Sequence, residues 1–349
     1  MKKLSLLFVL FIFINHAFSF DRESSADTLF VASWNLENLF DTADDPGKID
    51  EEFLPGSKKD WTIVRLEKKL SNLARVIHAM NNDKGPDILG VCEVEHESLL
   101  KEMITKYLPG SSFQTAYRES PDERGIDNGL IYNAVKLKLL SIFADTVHLN
   151  DTDRTRLILN ANLLLKESGD TLHVFVNHWP SRYGGVEETE IKREEAASVL
   201  RKRVNSYLDK DKNAKILIMG DFNDEPGNKS VLKTLNAQPF NCDVHGSLQN
   251  NLNDNILLNT AYESFKKGEG TYKYRDNWNM LDQIIISSKL VVGKLKYICN
   301  SFQIFKPDFL VTHSGKYKGT PFPTYGGNKY LGGYSDHFPV TAEFLITGH

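Results

Sequence analysis

Lys215-Ile216-Leu217-Ile218-Met219-Gly220-Asp221-Phe222-Asn223-Asp224 reads as a buried strand that stops at a glycine and opens into polar residues placed around a single phenylalanine. A short apolar run rich in β-branched residues, bounded by Gly and Asp, has the length and composition of a strand inside a domain. Strand parity puts Asp221 and Asn223 on one side. A carboxylate beside an amide oxygen suits a hard cation or a phosphoryl group. A turn closed by an Asx hydrogen bond accounts for the same residues without any chemistry.

Other segments repeat the pattern of an apolar run ending in polar groups. Strands are predicted over Thr28–Trp34, Asp87–Val94, Gly129–Tyr132, Arg156–Leu165, Thr171–Asn177, Met280–Ser287 and Phe338–Leu345. Two amphipathic helices are predicted between them. One carries Ile63, Leu66, Leu70, Leu73, Ile77 and Met80 at spacings of three and four, and the other Ile191, Ala196, Val199, Leu200, Val204 and Leu208. Such an alternation indicates a layered α/β or α+β fold.

Polar residues at the ends of these strands need partners. Glu93 closes Asp87-Ile88-Leu89-Gly90-Val91-Cys92-Glu93, where a carboxylate is costly unless paired or metal-bound. Glu95 shares its parity and rivals it, but Glu93 lies closer to the apolar run and is preferred. Ser335-Asp336-His337 precedes the last strand, and a histidine there is a natural base near neutral pH. Asp282 sits inside Leu281-Asp282-Gln283-Ile284-Ile285-Ile286 and requires a partner that a histidine could supply. His178 and Arg182 lie in Asn177-His178-Trp179-Pro180-Ser181-Arg182, and Asn35 ends the first strand.

The chain has 349 residues, 41% hydrophobic and 25% charged, with a formal net charge of −4. That is globular composition, and the acidic balance speaks against a protein that coats nucleic acid. Lys2 and Lys3, an apolar run from Leu4 to Ile14, and Ala17-Phe18-Ser19 have the layout of a secretory signal peptide over residues 1–19, followed by one domain over 20–349. The apolar run is too short for a spanning helix, so a secreted or periplasmic monomer without stable membrane insertion is expected. Cys92, Cys242 and Cys299 are too few and odd in number for a disulfide framework and have no metal-binding spacing; the sequence allows one bridge without demanding it.

Taken in chain order, Trp-Asn-Leu-Glu-Asn, Cys-Glu-Val, Asn-His-Trp-Pro-Ser-Arg, Gly-Asp-Phe-Asn-Asp, Leu-Asp-Gln-Ile-Ile-Ile and Ser-Asp-His-Phe-Pro-Val resemble the motifs of the endonuclease/exonuclease/phosphatase superfamily, over essentially the whole mature chain. The resemblance implies a four-layer α/β/β/α sandwich of two packed mixed β-sheets, with a site between the sheets at one end. It implies Glu93 as principal metal ligand, Asn35 in support and Asp336 as a further ligand. His337 would be the general base, held by Asp282. Asp221 and Asn223 would orient the nucleophile and contact the phosphoryl group, and His178 would donate to it. Asp127 is a possible partner for His178, a turn aspartate being the ordinary alternative. The family often has Gln where this chain has Cys92.

An oxygen-rich site of this kind favours Mg²⁺ or Mn²⁺ over Zn²⁺. The segment from Lys316 to Tyr330 interleaves cations with aromatics, a composition suited to phosphate contact and base stacking. Lys318 and Tyr325 are therefore candidate substrate contacts, and Arg182 and Arg156 extend a basic rim. The expected activity is that of a metal-dependent phosphodiester hydrolase acting on nucleic acid. A phosphatase or sphingomyelinase-like enzyme of the same fold, and a non-catalytic binding protein, are the alternatives.

Overall fold

A computed structural model describes residues 27–149, 154–245 and 256–347; the expected leader over residues 1–19 lies outside the described residues. The strands are β1 Asp27–Leu39, β2 Ile88–Val94, β3 Phe113–Tyr117, β4 Asp127–Asn133, β5 Leu137–Asp145, β6 Ile158–Leu165, β7 Thr171–His178, β8 Lys215–Asp221, β9 Ala237–Pro239, β10 Leu257–Asn259, β11 Tyr272–Tyr274, β12 Asn277–Asn279, β13 Asp282–Ser287, β14 Leu295–Tyr297, β15 Gln303–Ile304, β16 Tyr325–Gly326, β17 Lys329–Tyr330 and β18 Val340–Ile346. The main helices are α1 Ile63–Ala79, α2 Glu97–Tyr107 and α3 Glu190–Leu208.

One sheet has the order β14-β18-β1-β2-β4-β3, with β15 also on β18, and the other β5-β6-β7-β8-β13-β10-β9. Both are mixed: β1 runs parallel to β2 and β7 to β8, while β18 and β13 are antiparallel to β1 and β8. Alternation along each strand divides its side chains between two cores. Leu29 and Val31 of β1 point inward to meet Val174, Val176, Leu217, Met219 and Ile284 of the other sheet. Phe30, Ala32 and Trp34 point outward, beneath Leu66, Leu70, Leu73 and Ile77 of α1 and Leu99, Leu100 and Met103 of α2. On the far side Phe175, Ile216, Ile218 and Ile285 pack against Ala196, Ala197, Leu200, Val204 and Leu208 of α3. The result is helix, sheet, sheet, helix. The sheets approach so closely at Gly90 that a Cβ there would lie 2.7 Å from Met219 Sδ.

The expected strands and both expected helices are present. The stripe of α3 differs, because Ile191 is 70% exposed while Arg193, two positions on and so on another face of the helix, is fully buried. Arg193 Nε lies 2.8 Å from Asp224, so the first turn of this helix supplies a counter-charge to the loop after β8 instead of an apolar contact. Helix α2, strands β3 and β5, and the short strands β9–β12 and β14–β17 were not anticipated. Among the described residues no helix is long and apolar enough to cross a membrane.

Because β1, β2, β7 and β8 run in parallel pairs, while β13 and β18 oppose their neighbours, four strand ends and two strand beginnings meet at one edge of the sandwich.

Candidate active site

Every segment singled out for its polar residues opens at this edge. In the second sheet the register places His178 opposite Asp221 and Asp221 opposite Asp282, three polar groups side by side across three strands. Gly220 makes this possible: at φ 138° its Cα presses on Asn177, where a Cβ would lie 1.9 Å from the carbonyl oxygen. In the first sheet the β2–β4 register shifts between Cys92 and Val94, and Glu93 between them has φ 63°. The β1–β2 ladder likewise shifts between Asn35 and Leu39, with Glu37 and Asn38 at φ 53° and 54°. Bulges with left-handed residues re-aim side chains at strand ends, and here they turn Glu93 toward the second sheet.

The groups then converge. Asn35 Nδ2 donates to Glu93 Oε1 and to Asp221 Oδ2, both at 3.1 Å, bridging the two sheets. The backbone N–H of Asn38 donates to Glu93 Oε2 at 2.9 Å. His178 Nε2 lies 3.7 Å from both Glu93 Oε1 and Asp221 Oδ2. His337 Nδ1 is 2.7 Å from Asp282 Oδ2, and its Nε2 is 3.9 Å from Asp221 Oδ2. The Ser335-Asp336-His337 turn is pinned from both sides. Ser335 Oγ donates to Asn35 O at 2.6 Å and accepts from His337 N, while Trp34 Nε1 donates to His337 O at 2.9 Å. A second aromatic, Tyr272, stacks on the His337 ring with centroids 4.8 Å apart. Its position is fixed through Thr271, whose hydroxyl accepts from Asp282 N and whose carbonyl accepts from Phe338 N.

So many carboxylates at one edge perturb one another. Burial, reinforced by Asp282, pushes Asp221 up to about 6. Burial, reinforced by Glu37 and Glu93, pushes Asp336 up to about 7. Burial opposes a charge on His337, but Asp282 and Asp221 outweigh it and raise its proton affinity well above the ordinary value. Burial lowers His178 well below the ordinary value, and Arg156 and Arg124 add to this, so its imidazole is neutral. Glu93, Asp221 and Asp336 are hard oxygen donors of the kind a divalent cation takes, and Glu93 acts electrostatically on Asp336, so a cation would relieve their repulsion; among the described residues the one group of three donors already drawn close together is Asp41, Glu95 and His96. Buried Lys69 partly relieves the repulsion already. Its ammonium lies 3.8 Å from Glu37 Oε2 and donates to Thr324 Oγ1 and to the carbonyls of Glu37 and Tyr334.

Several residues do not sit as expected. Glu95 diverges from Glu93 at the bulge, and its Oε2 accepts from Asp41 N beside His96. Asn35 uses its amide oxygen to accept from Glu37 N, so it steers carboxylates with its nitrogen rather than offering a ligand. Asn223, at φ 49°, leaves strand parity: its N–H donates to Asp221 Oδ1 in an Asx turn and its Nδ2 donates to Trp179 O. Asp127 accepts from Tyr117 and Ser120 and does not reach His178, whose Nδ1 has no hydrogen-bond partner among the described residues.

Neither arginine forms a rim. Arg156 is buried, donating to Asp122 and to Trp179 O. Arg182 donates through all three guanidinium nitrogens, to Asn223 O, Asn279, Asp224 and Asn228. Tyr325 is core-packed with its hydroxyl on Lys59 O, although its ring helps wall a cavity; Lys318 is exposed and does not line that cavity. Sequence reasoning missed Lys69 and Tyr272. The only available signal for Lys69 was a lysine at the position between Leu66 and Leu70 on the apolar face of α1.

A family model described as Endonuclease/Exonuclease/phosphatase family matches residues 30–345. The chain belongs to that family. Solved structures share the fold at low identity. The Bacteroides thetaiotaomicron VPI-5482 mannosyl-6-phosphatase Bt3783 aligns with TM-score 0.56 and 17% identity, over 91% of this chain and 100% of that one. D. rerio TDP2 complexed with single strand DNA product aligns with TM-score 0.54 and 14% identity, over 91% and 99%. The human Nocturnin catalytic domain with bound sulfate anion aligns with TM-score 0.53 and 17% identity, over 92% and 95%. No curated protein matches the chain.

Proposed function

We propose that this family member is a secreted, Mg²⁺- or Mn²⁺-dependent phosphodiester hydrolase, and that nucleic acid is its first-choice substrate. The observation that carries the reading is the convergence of Glu93, Asp221, His178 and the Asp282–His337 pair at one edge of both sheets, with Asp336 next to His337 in the field of Glu93. Glu93 and Asp336 would hold the cation, with Asp221 beside them and Asn35 fixing the angle between Glu93 and Asp221. A bound divalent cation supplies charge neutralisation at the phosphoryl oxygens and offsets the carboxylate field around His337.

The chain's own groups do the rest. His337 receives the proton of the attacking water as the water oxygen bonds to phosphorus. The scissile P–O bond breaks and the leaving oxygen takes a proton from solvent. Asp282 at 2.7 Å holds the ring and stabilises the imidazolium that forms. Neutral His178 donates from Nε2 toward the phosphoryl group. Asn223, tied to Trp179 O and Asp221, sets the carboxylate that orients the water. Single-stranded DNA in a neighbour of this fold is consistent with a nucleic-acid substrate, and the mannosyl-6-phosphatase makes a phosphomonoester the second reading.

The test is direct. The purified mature protein is assayed with Mg²⁺ or Mn²⁺, and with EDTA, against DNA, RNA, sphingomyelin, a sugar phosphate and a generic phosphodiester. Metal-dependent, EDTA-sensitive cleavage of DNA or RNA is expected. Turnover confined to the sugar phosphate would establish the second reading, and no turnover on any substrate would sink both.

A further inference from the structure

Next to the reaction centre lies a cavity of about 680 Å³, within the range of small-molecule sites, into which Asp336 and Tyr272 both face. Its other walls come from the β11–β12 hairpin and the segment from Thr312 to Leu331, including Lys273, Lys316, Tyr317 and Lys329. Asp336 is the one carboxylate in the lining, where the cavity meets the site; three ammonium groups share the rest. Among the described residues none of the three is paired with a carboxylate. Lys273 lies over the Trp278 ring at 5.6 Å and Lys316 over Tyr317 at 5.9 Å, contacts that hold the stems and leave the charges unneutralised. The loop carrying these groups is anchored from beneath. Glu37 accepts from Thr324 N and Tyr325 N, Lys69 bonds Thr324 and Tyr334 O, and Lys59 donates to Gly327 O.

A protein of net charge −4 that clusters three unpaired cations in one cavity beside a carboxylate-rich centre separates charge over a short distance. Ammonium groups on flexible stems are suited to a phosphate as point charges, and the aromatic walls suit the sugar or base that carries it. We propose that this cavity is a subsite for a second phosphate of the substrate, with Lys273, Lys316 and Lys329 as its specificity-determining residues. The inference deepens the hydrolase reading and rests on it for the placement of the scissile phosphate. It replaces Lys318, expected from sequence alone, with its neighbour Lys316.

The experiment separates the two ideas by measuring binding apart from turnover. Calorimetry with Mg²⁺ compares thymidine 3′,5′-bisphosphate with thymidine 5′-monophosphate. The bisphosphate is expected to bind roughly tenfold tighter or more, the equivalent of one charge-assisted contact. The ratio falls to near one in Lys273→Ser/Lys316→Ser/Lys329→Ser and is kept in Lys318→Ser, whose exposed charge would matter equally if attraction were only general. Equal affinities in the wild type, including no binding of either, overturn the subsite, as does a ratio unmoved by the triple variant. A protein that shows the ratio yet hydrolyses nothing would overturn the proposed activity and leave the subsite standing.

Discussion

The two sides of the site carry cations in similar number and use them in opposite ways. On the side of the second sheet, Arg156, Arg182 and Arg193 all face inward, onto Asp122, Asp224 and the carbonyls of Trp179 and Asn223. On the side of the Thr312–Leu331 segment the cations are lysines, and among the described residues Lys273, Lys316 and Lys329 meet no carboxylate. The planar guanidinium fork suits fixed, multidentate ties inside a protein, and the mobile ammonium suits a ligand that arrives and leaves. One side is scaffold and the other is surface for binding, although both read as "basic" in sequence.

Both sides serve one centre, so the largest expected effect lies there. His337→Ala should lower kcat by about a thousandfold or more, with the circular dichroism spectrum and thermal midpoint close to wild type. Near-normal turnover would remove the centre and with it the reason for comparing its two sides. Next in size is the scaffold. Replacing Arg193, fully buried 2.8 Å from an Asp224 that is 1% exposed, leaves that buried carboxylate with only the longer, partly exposed contact to Arg182 at 3.3 Å as counter-charge. Arg193→Met should cost about 3–5 kcal/mol in urea unfolding, whereas Lys329→Met, at an exposed position, should stay within about 0.5 kcal/mol. Equal costs would erase the distinction.

A third test concerns a part-buried histidine on the scaffold side. His173, on the same strand as His178, contacts Asn162 Oδ1 through Nδ1 at 2.6 Å, and burial lowers it from 6.5 to about 4. Folding thus favours the neutral ring. Its contribution is fully present above about pH 6.5 and is lost as the pH falls through about 4. Allowing for its partial exposure, about 1–2 kcal/mol should disappear across that window, and His173→Gln should show a shallower fall in the urea midpoint between pH 7 and 4. Parallel pH profiles for the two proteins would refute this.

What sequence could and could not show follows the same division. The eight strands that build the centre of the two sheets, both long helices and the polar strand ends were legible because period-two and helical patterns are local properties. So was the family, since six short motifs keep their order. Parity failed where the backbone turns left-handed: it paired Asp221 with Asn223 and equated Glu93 with Glu95, but φ values of 49° at Asn223 and 63° at Glu93 break the alternation. The function of each cation was not legible either. Lys69 meets Thr324 across 255 positions, and no local pattern registers a contact at that separation. Tyr272 lies over His337 because Thr271 bonds both Asp282 and Phe338, a clamp built from three distant segments.

The smallest expected effect is the one that separates the two sides by physics rather than by mutation. Salt shortens the Debye length from about 10 Å at 0.1 M to about 3 Å at 1 M, which screens exposed charges and leaves buried pairs largely untouched. Two of the three arginine ties are dry, Arg156 and Arg193 being 6% and 0% exposed, and Arg182 is partly buried. Lys316 and Lys329 stand in solvent and Lys273 is half-buried. Raising NaCl from 0.05 M to 0.5 M should therefore weaken an anionic substrate through KM, by roughly three- to tenfold, while kcat and the urea midpoint change little. In Lys273→Ser/Lys316→Ser/Lys329→Ser the KM should already be high and its salt dependence nearly flat. If salt lowered kcat or the unfolding midpoint as strongly as it raised KM, the arginines would be as open to solvent as the lysines, and the contrast between a closed scaffold and an open binding surface would fail.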